Sequence, residues 1–248
     1  MFFAFDVDGT LTPSRQKIVP NFEHWFSKWI PTVQNMGHSV LLVTGSDYSK
    51  TVEQLGETIV SSVDYCCNCL GNHVLHKNKL IHSYKFDPPE ELINFLKQEL
   101  DNSSYAERYG NHIENRESMI NFSVVGRNAI GDQRTRYYEW DKLSCERLII
   151  AKKINNMFAE VSAQAGGETG IDIIPRGKDK RQVIEYMQGE HVYFFGDRLD
   201  DGGNDKPLAD ELYSNGASAD CIHVKSWQDT WEVLLDVTSN VLGTRIHV

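Results

Sequence analysis

Two short apolar runs that each end on a carboxylate constrain this chain more than any other feature. The first, Phe2-Phe3-Ala4-Phe5, leads into Asp6-Val7-Asp8-Gly9-Thr10, and the second, Val192 to Phe195, leads into Gly196-Asp197. An apolar run of this length bounded by turn residues reads as a strand buried on both faces, as parallel sheets require. Strand ends in an open parallel sheet face the ligand crevice, so carboxylates there stand where chemistry takes place. Asp6 and Asp8, two residues apart, can address one phosphate, one attacking and the other handling protons. Gly9 permits a sharp turn whose N–H groups can receive phosphate oxygens. An isolated Asp-Gly is as readily an ordinary strand-to-loop turn, so the companions of this motif decide its reading.

There are three such companions. Thr44-Gly45-Ser46 closes another apolar run, Lys180 opens a helical stretch, and Gly202-Gly203-Asn204-Asp205 follows Asp197. The hydroxyls of Thr44 and Ser46 and the ammonium of Lys180 are what a transferring phosphoryl group needs for charge neutralisation. Magnesium takes oxygen ligands and keeps several waters. Asp6 and Asp197 with a backbone carbonyl make a partial shell, and Asp8, Asn204 and Asp205 complete the candidate set. The expected chemistry is phosphoryl transfer through Asp6 as nucleophile and Asp8 as acid/base partner.

The order of elements predicts a Rossmann-like α/β core with a parallel sheet. Strands over Phe2–Val7, Ser39–Thr44 and Asp64–Cys69 alternate with helices over Phe22–Met36, interrupted at Pro31, and from Asp47 to about Gly56. Hairpins about Lys77-Asn78 and between Ile113–Arg116 and Met119–Val125 mix with helices over Pro89–Asp101 and 132–158, followed by a strand at Gly170–Pro175. The parallel pattern resumes with a helix at Lys180–Met187, strands at Val192–Phe195 and Cys221–Val224, and a helix at Trp227–Val237. Residues 1–83 and 179–248 are therefore expected to form the catalytic core, and residues 84–178 an inserted α+β cap that binds substrate.

Composition narrows the partners. Lys plus Arg total 25 against 35 Asp plus Glu, a formal charge of −10. Such a surface repels polyphosphate backbones, which argues against nucleic acid. No apolar run approaches the roughly 20 residues that span a bilayer, and the start lacks the basic flank of a secretory signal. Five cysteines in no framework spacing suit a reduced, cytoplasmic protein. Cys66, Cys69, His73 and His76 have zinc-like spacing. Even so, Cys66 and Cys67 fall on a predicted buried strand, where cysteine packs as a small hydrophobe.

Together these motifs resemble those of the haloacid dehalogenase superfamily, and in detail the chain is similar to the eukaryotic-type phosphomannomutases over nearly its whole length. The resemblance rests on Asp-Val-Asp-Gly-Thr-Leu-Thr-Pro with Arg15-Gln16-Lys17-Ile18, and on Gly45-Ser46-Asp47 with Lys50 and Glu53-Gln54-Leu55-Gly56. It extends to Met119-Ile120-Asn121, Gly126-Arg127, Gly166-Gly167, Ile171-Asp172, Asp179-Lys180-Arg181 and Gly202-Gly203-Asn204-Asp205. It implies that Arg15, Arg116, Arg127 and Arg134 grip the phosphate not being transferred, and that Asp172 accepts hydrogen bonds from sugar hydroxyls. It further implies Mg2+, a hexose 1,6-bisphosphate activator, interconversion of mannose 6-phosphate and mannose 1-phosphate, and a homodimer through the cap. The chain departs from the family at Thr44, where the family has glycine and related phosphatases have threonine. It departs again at Gly170, in place of a serine whose backbone N–H still remains, at Cys69-Leu70 in place of Glu-Asn, and at Lys178 in place of tryptophan. Thr44 and Gly170 lean toward the alternative outcome, a sugar-phosphate phosphatase using the same aspartyl-phosphate chemistry.

Overall fold

The apolar run that opens the chain forms β1 (Phe2–Phe5), and the computed structural model, which describes residues 1–116, 118–187, 191–240 and 243, sets it mid-sheet. Its parallel neighbours are β2 (Ser39–Val43) on one side and β10 (Val192–Gly196) on the other. β3 (Tyr65–Asn68) extends the parallel set beyond β2, and β11 (Ala219–His223) extends it beyond β10. The antiparallel strands β4 (His73–His76) and β5 (Lys79–Ser83) complete the order β11-β10-β1-β2-β3-β4-β5. The chain leaves β1 toward β2 and comes back on the other side at β10, so the crevice between β1 and β10 is the topological switch point where doubly wound sheets bind ligands.

Both faces of this sheet are covered, which is why its strands are apolar throughout rather than alternating. On one face Phe3, Phe5 and Phe195 pack against Phe22, Trp25, Phe26 and Trp29 of α1 (Pro20–Asn35) and Leu234 of α7 (Trp227–Asn240). Phe5 stacks on Phe195 at 4.9 Å, and the Trp29 indole donates to Thr238 Oγ1 at 2.8 Å. On the other face Ala4, Leu41, Val43 and Phe194 meet Val183 and Leu208, the latter on α6 (Lys206–Ser214).

α1 runs through Pro31 to Asn35, contrary to the interruption expected there. Proline inside a helix costs about 3 kcal/mol. Trp29, Ile30 and Val33 flank it fully buried, and each such side chain contributes about 1.5–3 kcal/mol, enough to hold the helix together. α2 (Tyr48–Ser62) also outruns its expected end: Gly56 departs from helical geometry at φ 80°, and the helix resumes beyond it. Its N-cap is the expected Asp47, whose carboxylate accepts from Lys50 N at 2.8 Å. Lys180–Tyr186 forms a 3-10 rather than an α-helix.

The chain divides into two compact units, Met1–Ser83 with Lys178–Val248 and Tyr84–Gly177. In the second unit β6 (Ile113–Arg116), β7 (Met119–Phe122), β8 (Val161–Gly166) and β9 (Gly170–Pro175) form an antiparallel sheet in the order β6-β7-β9-β8. Helices α3 (Glu90–Asn102), α4 (Asp132–Ser144) and α5 (Glu146–Met157) supply Leu92, Leu96, Tyr137, Ile150 and Ile154 to the core against Ile120, Phe122, Ile171 and Ile173. The predicted helical stretch over 132–158 is broken at Cys145, which adopts the left-handed conformation (φ 54°) between α4 and α5. Among the described residues no helix is long and apolar enough to cross a membrane.

Candidate active site

The C-terminal ends of β1, β2 and β10 carry the residues that the sequence singled out. Asp6 directly follows β1, and its N–H donates to Phe195 O at 2.9 Å, which continues the β1–β10 pairing into the site. The Lys180 ammonium, fully buried, donates to Asp6 Oδ1 at 2.5 Å and to Asp205 Oδ1 at 2.6 Å. Thr10 Oγ1 donates to Asp6 Oδ2 at 3.3 Å. Asp205 is held on its other oxygen by Arg198 N at 3.0 Å.

Two glycines make this convergence geometrically open. Gly9 has φ 90°, and a Cβ there would lie 2.8 Å from Asp197 Cγ. A Cβ at Gly196 would lie equally close, 2.8 Å, to Asp205 Cγ. Side chains at either place would push apart the carboxylates that the site brings together.

Burial and crowding govern the protons. Burial pushes the Asp6 carboxyl up, the Lys180 ammonium opposes this, and Asp205 and Asp197 add to the rise, so that its pKa is raised to about 8. Burial and then Asp205 push Asp197 up to about 6, with Lys180 and Arg198 opposing. For Lys180 burial favours the neutral amine, but Asp205 and Asp6 outweigh it and hold the group as an ammonium. Ligand atoms of Asp6, Asp197 and Asp205 all lie within 4.8 Å of one another. Three hard oxygen donors crowded against one ammonium fit a divalent cation of the magnesium type, which would offset both the burial and the added repulsion that lift Asp6 and Asp197.

Asp8, counted from sequence among the metal ligands, stands outside this group. Its carboxylate turns instead to Arg15 N and to Gln54 Nε2, the latter at 3.2 Å. Asn204 lies beside the turn after β2: a Cβ at Gly45 would be 3.9 Å from its Nδ2. In that turn Thr44 is buried and its Oγ1 accepts from Ser46 N at 3.1 Å, so this hydroxyl braces the Thr44-Gly45-Ser46 loop.

Sequence reasoning missed Gln54 as a site residue. It is buried on α2, and its amide reaches Asp8 Oδ1, Thr12 Oγ1 (3.4 Å) and Gln16 O (3.3 Å), tying the loop after β1 together. A polar residue at a helix position otherwise facing the core was the available signal. The zinc-like spacing leads elsewhere. Cys66 pairs across the strands with Leu75, and His73 with Asn68. Burial pushes the Cys66 thiol up to about 12, with Asn68 opposing. Among the described residues the group Asp6, Asp197 and Asp205 is compact enough to hold a metal, and Cys66, Cys69, His73 and His76 form no such group.

The remaining candidates lie in the second unit, apart from Arg15, which is exposed in the left-handed region (φ 59°). Arg116 Nη2 and Arg127 Nε meet the same carboxylate, Glu114, at 2.8 and 3.1 Å. Arg134 pairs with Glu168 at 3.2 Å. Asp172 accepts from Asn121 Nδ2 at 2.6 Å, and Gly170 is buried beside Asn121. The structure thus gathers Arg116 and Arg127 on one acidic residue and holds Arg134 on another.

A doubly wound α/β core with an inserted α+β unit and a buried Asp–Lys–Asp cluster at its switch point defines a haloacid dehalogenase-like fold. It is similar to a haloacid dehalogenase-like hydrolase from Bacteroides thetaiotaomicron at TM-score 0.60, with 12% identity over 95% of this chain and 98% of that one. A trehalose-6-phosphate phosphatase C-terminal domain from C. albicans matches at TM-score 0.61, with 15% identity over 91% of this chain and 79% of that one. Sequence places the chain more finely. The profile of the family described as eukaryotic phosphomannomutase matches residues 29–239. A phosphomannomutase of Arabidopsis thaliana is 34% identical over 223 residues, covering 86% of this chain and 89% of that protein. One from Nicotiana benthamiana is 33% identical over 214 residues, covering 82% of each. The chain belongs to the eukaryotic phosphomannomutase family.

Proposed function

We propose that this protein is a phosphomannomutase that interconverts mannose 6-phosphate and mannose 1-phosphate through a phosphoaspartate on Asp6. The observation that carries the chemistry is the Asp6–Lys180–Asp205 cluster at the strand ends, and family membership supports the substrate. An Asp6 oxygen attacks the phosphorus of a hexose 1,6-bisphosphate or of a sugar phosphate, and the bond to the sugar oxygen breaks. Asp8 gives its proton to that leaving oxygen, then removes the proton from the hydroxyl that takes the phosphoryl group back. Lys180 neutralises charge on the phosphoryl oxygens and draws the Asp6 carboxyl toward its ionised form, which a bound cation would favour further. Asp6 and Asp197, with Asp205 behind them, would hold Mg2+, which supplies further charge neutralisation during transfer. Gln54 and Arg15 N hold Asp8 in place between the two proton transfers.

Arg15, Arg116, Arg127 and Arg134 serve to hold the phosphate that is not transferred, since guanidinium forks bind phosphate in bidentate fashion. A cytoplasmic setting and small-molecule rather than nucleic-acid or membrane partners complete the reading. So does a homodimer through the inserted unit, supported by the exposed Leu143, Leu148 and Ile149 on α4 and α5.

The test supplies purified protein with magnesium, mannose 1-phosphate and a trace of glucose 1,6-bisphosphate, and follows mannose 6-phosphate and inorganic phosphate together. Isomer without matching phosphate release is expected. Dominant phosphate release would mean that water takes the phosphoryl group from Asp6, and the protein would be a phosphatase.

A further inference from the structure

A transverse polar row crosses the four-stranded sheet of the second unit. Register sets Glu114 opposite Asn121, Asn121 opposite Asp172, and Asp172 opposite Gln164. Residues directly opposite in antiparallel strands project on the same side, so the four form one line across β6, β7, β9 and β8. The alternate positions Ile120, Phe122, Ile171, Ile173 and Ala163 enter the core with α3, α4 and α5. The polar row therefore occupies the face turned away from the helices.

Its middle is not explained by packing alone. Asn121 is 4% exposed, and its amide nitrogen is committed to Asp172, while its Oδ1 has no donor. A buried acceptor without a donor is destabilising, and its retention in a native fold calls for a ligand or a functional role. Two glycines keep the surroundings clear. A Cβ at Gly170 would stand 2.7 Å from Asn121 Nδ2 and 3.1 Å from its Oδ1, and one at Gly166 would stand 2.7 Å from Asp172 Cγ. Gln164, half-buried on β8, flanks Asp172 on the other side. At the far end of the row Glu114 gathers the guanidinium groups of Arg116 and Arg127.

We infer that Asn121, Asp172 and Gln164 form the surface that reads the sugar's hydroxyls, and that Asn121 and Gln164 are specificity-determining residues on either side of Asp172. The inference rests on the sugar-phosphate reading above and assigns the site that tells one hexose from its epimer. Asp172 can only accept hydrogen bonds, Asn121 Oδ1 accepts, and the Gln164 amide both donates and accepts. Neighbouring ring hydroxyls each carry one donor and acceptor lone pairs, which matches a carboxylate flanked by two amides. The guanidinium groups held on Glu114 at one end of the row suit the phosphate of a hexose phosphate, and the amide, carboxylate and amide beyond them suit its ring. Mannose and glucose differ in the direction of one hydroxyl, so a carboxylate flanked by two fixed amides is the kind of surface that separates them.

Calorimetry on the full chain measures binding of mannose 1-phosphate, glucose 1-phosphate and inorganic phosphate to the unaltered protein and to Gln164→Ala and Asn121→Ala. Turnover of both sugars is measured in parallel, and thermal midpoints check folding. Each variant is expected to change the mannose-to-glucose affinity ratio by about three- to tenfold, the range of one neutral hydrogen bond. Inorganic phosphate binding should stay unchanged, and turnover changes should lie in KM rather than kcat. Ratios within about twofold of the unaltered protein, with both sugars weakened equally, would overturn the inference and reduce these residues to scaffold. Phosphate release in place of isomer, with the ratio still shifting, would overturn the mutase reading while this assignment stands. Should Asn121→Ala fail to fold, Gln164→Ala alone decides. Binding of neither sugar phosphate by the unaltered chain would overturn both.

Discussion

Replacing Lys180 with methionine isolates the electrostatics of the cluster while keeping its volume. Lys180 Nζ is 2.5 Å from Asp6 Oδ1 and 2.6 Å from Asp205 Oδ1, and its side chain is 0% exposed. Removing one partner from a buried ion pair costs about 3–5 kcal/mol because the remaining charges are left without compensation. For a chain of this length, each kcal/mol moves the melting midpoint by about 2–4 °C, so Lys180→Met should lower it by about 6–20 °C. The measurement is thermal unfolding with a chelator present, so that no cation substitutes for the ammonium. The pH dependence has a definite sign. Asp6 has a folded pKa raised to about 8 against its ordinary 3.8, and without Lys180 it rises further. Such a group favours the folded state when protonated, so the stability it contributes is complete at acidic pH and is lost as pH rises through the folded value. The deficit of Lys180→Met should therefore stay nearly constant from about pH 5 to about pH 7, where Asp6 is protonated with or without the ammonium, and grow as pH rises past about 8. Adding Asp205→Asn removes one stranded carboxylate and should restore about 1–3 kcal/mol. A midpoint change below about 2 °C, or a double variant less stable than the single one, would refute the reasoning.

Other consequences are open to similar checks. Gly9→Ala should lose activity and about 1–3 kcal/mol of stability, because φ 90° and the approach of Asp197 exclude a side chain, as activity assays and denaturant titration would show. Gln54→Ala should lower kcat by about tenfold or more by releasing Asp8, and slow the transfer of phosphate onto Asp6 as well, which single-turnover labelling resolves. Lys77→Gly should stabilise the β4–β5 turn, where Lys77 and Asn78 have φ 47° and 63°, by about 0.5–1 kcal/mol in equilibrium unfolding. In thiol titration of the native protein Cys145 should react first, whereas buried Cys66 and Cys67, their thiols pushed up by burial, should react only on unfolding.

Strand ends were legible because burial on both faces writes them as apolar runs, and Phe2–Phe5 and Val192–Gly196 needed no further context. The carboxylates after them were legible for the same reason: nothing else in an apolar run explains Asp6 or Asp197. Pro31 misled because local propensity says nothing of the aromatic layer that Trp25 and Trp29 build against the sheet. β8 escaped prediction because Ser162, Gln164 and Gly166 alternate with small Ala163 and Ala165, a weak period-two signal. Spacing along the chain does not tell which way a turn aims a carboxylate, and that of Asp8 turns to Arg15 N and Gln54 Nε2. Likewise the pairing of Arg116 and Arg127 on Glu114 depends on strand register and a turn, and neither is readable from composition.

The most direct measurement is to locate the phosphoryl group on the enzyme. The protein is mixed with radiolabelled hexose 1,6-bisphosphate and magnesium, quenched in acid and cleaved with trypsin, and the label is mapped by fragment sequencing. Label on Asp6, within the peptide Met1–Arg15, lost in Asp6→Asn and acquired more slowly, still on Asp6, in Asp8→Asn, is the expected result. Turnover with no labelled Asp6, or label on another residue, would contradict phosphoryl transfer through this aspartate.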